Sequence, residues 1–268
     1  MTRPDLRGLT RLGPIMLMAA FALALAANGF GAIRAQETLT IRGVVENGTS
    51  GAAVSAEISV LLLVSGPEGG LVSTGQDSTD QSGRFQFEQV PKSEGGTYSL
   101  SADYAGVFYG AFFTLQDLSS EVTLAVYEPT RDVSVVKVTT QVMVISDIDR
   151  KNRQISATEF VRISNGSDRT LLPDLANPQQ MSFLRFSLPP QAEELDVGTD
   201  LPGGDVVSVG TGFALTSPVM PGEHTLRFTF RFPYRGDSVS YRQNLPQGAE
   251  VYQVMVPDRL ALVGVSPL

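Results

Sequence analysis

Residues 225–232, "TLRFTFRF", place Leu226, Phe228, Phe230 and Phe232 at every second position, with Thr225, Arg227, Thr229 and Arg231 between them. A period of two puts the four apolar side chains on one face of an extended chain and the polar set on the other. One face is then core, and the face carrying the arginines is open to solvent or to a ligand. No window of the chain has a convincing 3.6-residue periodicity. From Glu37 onward, short apolar or alternating runs are separated by clusters of Gly, Pro, Asn and Asp. That pattern predicts an all-β protein made of two β-sandwich-like domains.

The first unit reads as about seven strands. Residues 39–45 alternate before an Asn47-Gly48 turn. Residues 54–64 contain "ISVLLLV", apolar enough to suggest a strand covered on both faces. Residues 71–74 lead into "TDQSGRFQF" (79–87), which reads as a hairpin. Asp80 and Ser82 supply side-chain bonds to the local backbone there, and Gly83 supplies a positive φ. Phe85 and Phe87 then share a face, and burying the two rings stabilises the fold by about 1.5–3 kcal/mol each. Val90-Pro91 ends that strand, and residues 97–104, 107–115 and 122–127 complete the unit.

Residues 128–132, "EPTRD", are short, polar and interrupted by proline, as a linker would be. A long strand over 133–145 follows, then a turn at 147–152, a return strand over 155–163, and a hairpin closed by Asn165-Gly166. Residues 183–188 stop at Pro189-Pro190, and residues 203–212 are glycine-rich. Residues 250–256 and 260–265 are the last strands. The two halves share no demonstrable repeat.

The chain opens with Arg3, Arg7 and Arg11, then an apolar run over 14–27, then "GAIRAQ". This order predicts a signal peptide over 1–35, cut after Ala35, with Ala24-Leu25-Ala26 as a second possible cutting region. The run is shorter than the roughly 20 residues of a spanning helix, so a retained anchor is the weaker alternative. The expected divisions are therefore 1–35, 36–127 and 128–268, in a protein that is periplasmic, extracellular or on the cell surface. Losing residues 1–35 removes four arginines and one aspartate, which moves the formal charge from −8 to −11. An acidic chain argues against nucleic acid as a partner and against an anionic membrane surface. With no cysteine, disulfides, thiol catalysis and thiolate metal sites are all excluded.

On four groups of residues the first unit resembles the carboxypeptidase regulatory-like domain, a prealbumin-like sandwich. They are Gly43-Val44-Val45, the 79–87 turn, Val90-Pro91 and Tyr98-Ser99-Leu100. The resemblance implies a seven-stranded accessory fold, grouped with starch-binding-like sandwiches, over about residues 38–127. It brings no catalytic activity of its own. From "VYEPTRDVSVVKV" onward the chain has a looser resemblance to β-rich continuations in bacterial exported proteins.

Chemistry is sparse. His224 is the single histidine, so a two-histidine zinc site cannot be built, and no Gly-x-Ser-x-Gly elbow presents a nucleophile. Lys92, Lys137 and Lys151 lie in polar contexts unsuited to a serine–lysine pair. The close carboxylates Asp77/Asp80, Asp147/Asp149 and Glu193/Glu194 are the material a carboxylate-based hydrolase would need, but all lie in turns or solvated segments. "SDIDRKN" lacks the central glycine and the distal glutamate of a calcium loop. Asn47-Gly48-Thr49 and Asn165-Gly166-Ser167 match the glycosylation triplet but read first as Asn-Gly turns.

The remaining feature is "YAGVFYGAFF". Tyr104, Phe108 and Tyr109, with Tyr98, are the candidate ligand-binding residues, as a stacking platform for a glycan or a partner protein. The expectation is a non-enzymatic binding or structural interaction module of the cell envelope, with a carbohydrate-binding protein as the alternative. No cofactor, metal or catalytic residue is expected. The partner is an envelope protein or glycan, and the membrane is met only through an uncleaved N-terminal segment.

Overall fold

The computed structural model describes residues 37–54, 57–177, 182–203, 205–237, 239 and 244–257, and its regular structure is strand apart from two single-turn 3-10 segments. The expected signal segment and the strand expected over 260–265 lie outside the described residues. Among the described residues no helix is long and apolar enough to cross a membrane.

Seven strands build the first core: β1 (Thr38–Asn47), β2 (Ser59–Ser65), β3 (Leu71–Ser78), β4 (Arg84–Pro91), β5 (Thr97–Tyr104), β6 (Val107–Phe113) and β7 (Val122–Val126). They form two sheets, ordered β4-β1-β7 and β3-β2-β5-β6. Between the sheets lie Ile41, Val60, Leu62, Val64, Phe85, Phe87, Leu100 and Leu124, all buried. β1 runs antiparallel to β4 and parallel to β7.

The "TDQSGRFQF" segment differs from its reading as a hairpin, because β3 and β4 belong to different sheets. The segment is an arch from one sheet to the other. Asp80 Oδ1 accepts from the N–H of Ser82 and of Arg84 at 2.8 and 2.9 Å, while Asp80 N–H donates to Arg84 O at 2.9 Å. Gly83 sits at φ 76°, and a Cβ there would meet Val45 O at 2.5 Å. The turn is thus pressed onto β1, with Val45 N–H donating to Gly83 O. Beyond it, Phe85 and Phe87 meet edge to face at 5.9 Å. Phe85 stands opposite Gly43, where a Cβ would come 2.2 Å from the ring.

A second correction concerns "ISVLLLV". β2 is buried on one face only: Val60, Leu62 and Val64 point inward, while Leu61 and Leu63 are 40% and 45% exposed. An apolar run does not report how many of its faces have cover.

Beyond the first core come β8 (Pro129–Thr130), β9 (Val136–Asp149), β10 (Gln154–Asn165), β11 (Thr170–Leu171), β12 (Arg185–Ser187), β13 (Glu193–Thr199), β14 (Val206–Val209), β15 (Gly212–Leu215), β16 (Gly222–Pro233) and β17 (Val251–Met255). A five-stranded sheet, β13-β16-β10-β9-β17, faces a three-stranded sheet, β12-β15-β14. The Leu226, Phe228, Phe230 and Phe232 face of β16 is buried as its alternation predicts. Phe228 joins the layers, with Phe213 and Phe186 at 5.0 and 5.7 Å. β17 pairs with β9 in parallel, so each core has its first long strand paired parallel to its last described one.

Candidate functional site

The predicted aromatic platform does not form, and strand alternation is the reason. On β5 and β6, Tyr98 and Tyr109 point inward and are 0% and 1% exposed, whereas Phe108 and Phe112 point outward and are 61% and 78% exposed. The Tyr98 hydroxyl accepts from Ser93 N–H at 2.8 Å and donates to Pro91 O at 3.1 Å. Tyr104 is half-buried at the end of β5. The three tyrosines share no exposed surface, and only Phe108 of the four candidates faces solvent.

Tyr104 and Tyr109 belong instead to a polar seam where the two cores meet. Asn47, at the end of β1, accepts Thr49 N–H on its Oδ1 at 3.0 Å and donates from Nδ2 to Glu128 at 2.9 Å and to the Tyr104 hydroxyl at 3.2 Å. Tyr104 also donates to Glu128. The Tyr104 hydrogen bond, followed by that of Asn47, holds the Glu128 carboxyl below its usual range. The same bond to Glu128, followed by burial, pushes the Tyr104 hydroxyl up to about 12.

Across the seam, Thr49 Oγ1 donates to Asp168 O at 2.6 Å and Ser50 N–H donates to the Asp168 carboxylate at 2.9 Å. The Tyr109 hydroxyl lies 2.8 Å from both Tyr127 O and Thr170 Oγ1. Burial raises its pKa.

The segment that reads as a polar linker is part of this seam. Glu128 N–H donates to Thr49 Oγ1, β8 pairs in parallel with β11, and Arg131 forms an ion pair with Asp174. Asn165, at the end of β10, repeats the Asn47 arrangement. Its Oδ1 accepts Ser167 N–H at 3.1 Å, and its Nδ2 donates to Arg169 O at 2.7 Å and Val219 O at 2.9 Å. The two Asn-Gly-hydroxyl triplets are therefore the two corners of the junction.

Four of the six carboxylates considered for hydrolysis are occupied locally. Asp77 accepts Gln86 N–H, Asp80 closes the arch, Asp149 accepts the N–H groups of Lys151 and Asn152, and Glu194 pairs with Arg231. Among the described residues no three His, Asp or Glu side chains gather as a metal site. His224 lies on β16, and its Nε2–H donates to Met220 O, 2.9 Å away.

Sequence reasoning passed over Glu159, which is fully buried on β10 and accepts from Gln141. The signal was there: it is the one charged residue in the inward series Ile155, Ala157, Glu159, Val161, Ile163.

No family model matches the chain, and no curated protein matches it in sequence. Its backbone has partial likeness to the full-length major pilin SpaD of Corynebacterium diphtheriae, at TM-score 0.27 and 11% identity over 73% of this chain and 57% of that one. The RrgB pilus protein of Streptococcus pneumoniae is similar at TM-score 0.21 and 12% identity, over 73% of this chain and 45% of that one. An M1 zinc metallopeptidase of Deinococcus radiodurans is similar at TM-score 0.23 and 13% identity, over 40% of this chain and 23% of that one. The chain thus spans under a quarter of the peptidase and a little over half of the SpaD pilin. No activity is carried from any of them to this chain.

Proposed function

We infer that this protein is an exported, non-enzymatic structural and interaction module of the cell envelope, in which residues 36–127 and 128–268 act as two sandwich units held as one body. The observation that carries this reading is the seam, where the connecting segment 128–132 is pinned from both sides. A flexible tether between independent domains has few contacts crossing it. Here Asn47, Thr49, Tyr104 and Tyr109 all reach the connector or the second unit with polar atoms. An apolar outer face on the β3-β2-β5-β6 sheet, with Leu61, Leu63, Phe108 and Phe112 exposed, gives the module a surface of the kind that partner proteins cover.

Calorimetry tests the reading. The intact protein should unfold in one cooperative transition, and Thr49→Ala combined with Tyr109→Phe should split it into two. Two separate transitions in the unaltered protein would overturn the rigid-body reading. Turnover of an envelope substrate, lost on a single substitution, would overturn the non-enzymatic one.

A further inference from the structure

The outward face of the five-stranded sheet carries an open concavity of about 530 Å³, within the roughly 300–1,000 Å³ range of small-ligand sites. Strand register explains its shape. Gly198, Arg227, Phe160 and Val142 stand in one row across β13, β16, β10 and β9, and Thr225, Arg162 and Thr140 stand in the next. Phe160 is 49% exposed. Arg227 is its direct cross-strand neighbour, and Arg162 follows two residues along on the same face, about 7 Å away at strand spacing. Gly198 supplies the hollow, since a Cβ there would meet only Arg227 Nη2, at 4.0 Å.

The two guanidinium groups are available. Among the described residues Arg162 has no ion pair, and Arg227 has a loose, exposed one with Asp196 at 3.8 Å. Two carboxylates border the same face, Asp196 beside Arg227 and Asp200 on Thr225, so Arg162 is the cation of the pair with no acidic group at ion-pair distance among the described residues. Arginine's planar fork matches a carboxylate with two parallel hydrogen bonds. The Phe160 face offers an apolar plane for a ring.

An extended peptide is disfavoured as the occupant. β10 is paired along its whole length with β9 on one side and β16 on the other, so the floor of the concavity at Phe160 and Arg162 offers no backbone edge for strand addition; a free edge of this sheet runs along the outer side of β13. Recognition on that floor comes from side chains, which suits a compact ring bearing its own charge and hydroxyls.

We propose that this concavity binds an acidic saccharide, with a uronate ring stacked on Phe160 and its carboxylate held between Arg162 and Arg227. The Thr140 and Thr225 side chains line the same hollow, Thr225 Oγ1 donating to the Asp200 carboxylate at 3.2 Å. The site goes beyond the structural reading above and does not depend on it.

The test is calorimetric titration of the full chain with a galacturonate trimer, a neutral glucan trimer and a short poly-glutamate peptide. The uronate trimer should bind, weaken with added salt, and lose at least tenfold in affinity in Arg162→Gln and in Phe160→Ala. Phe160→Tyr should stay within about threefold. These positions are exposed, so unchanged melting temperatures would separate lost binding from lost folding. Absence of uronate binding would overturn the proposal, as would equal binding of the neutral trimer, tighter binding of poly-glutamate, or unchanged affinity in both loss variants.

Discussion

The two Asn-Gly-hydroxyl corners look interchangeable in sequence and differ in what surrounds them. Asn165 is 2% exposed and donates to two main-chain carbonyls of fixed position. Asn47 is half-buried and donates to a phenol and a carboxylate, both of which titrate. One corner is thus a permanent backbone clasp, and the other depends on the ionisation of its partners. The same local turn chemistry yields different strengths according to the dielectric it sits in.

Four outcomes would sharpen or break that contrast. Asn165→Asp should cost the most, about 3 kcal/mol in chemical denaturation, because a buried carboxylate cannot donate to Arg169 O or Val219 O. Asn165→Ala should cost about 2 kcal/mol, and Asn47→Ala about 1 kcal/mol, since water can reach the partners of Asn47. Equal losses at the two corners would dissolve the distinction. Tyr109→Phe should also cost about 1 kcal/mol by removing the hydroxyl shared with Tyr127 O and Thr170 Oγ1.

The smallest effect is in pH. Tyr104 has a raised pKa in the folded protein, from 10.0 to about 12. Its contribution is therefore whole below pH 10 and fades as pH climbs from 10 toward 12. Thermal melts of Tyr104→Phe should lack that part of the alkaline decline, and an identical decline in the variant would remove Tyr104 as its source.

Much of the first unit was legible from local pattern. The seven strands, the inward Phe85 and Phe87, and the Asp80/Gly83 turn chemistry all follow from period-two alternation and turn residues. The arch did not, because a turn's own sequence does not say whether its strands pair with each other or with partners elsewhere. β13, "EELDVGT", escaped notice because its charged residues belong to an exposed edge rather than to a core.

The aromatic cluster was misread through parity: Phe108 and Tyr109 are adjacent, so one must face out when the other faces in. At the candidate site, the seam was beyond local reading altogether. Thr49 and Asp168 are separated by 119 positions, and nothing in either neighbourhood names the other. The arginine-bearing face of β16 was foreseen as open to solvent or a ligand. Its neighbours Phe160 and Gly198 were not, since only register brings them into one row.

The parallel pairing of β1 with β7 and of β9 with β17 has a mechanical consequence. In the first unit the chain enters at the base of β1 and leaves from the tip of β7, and in the second it runs from the base of β9 to the tip of β17, the last described strand, across five matched positions in each. Tension between the ends of a unit draws the two strands past each other along their length. The matched positions then bear the load together, whereas an antiparallel terminal pair would peel open one rung at a time. Each sandwich is consequently built to resist stretching along its own chain.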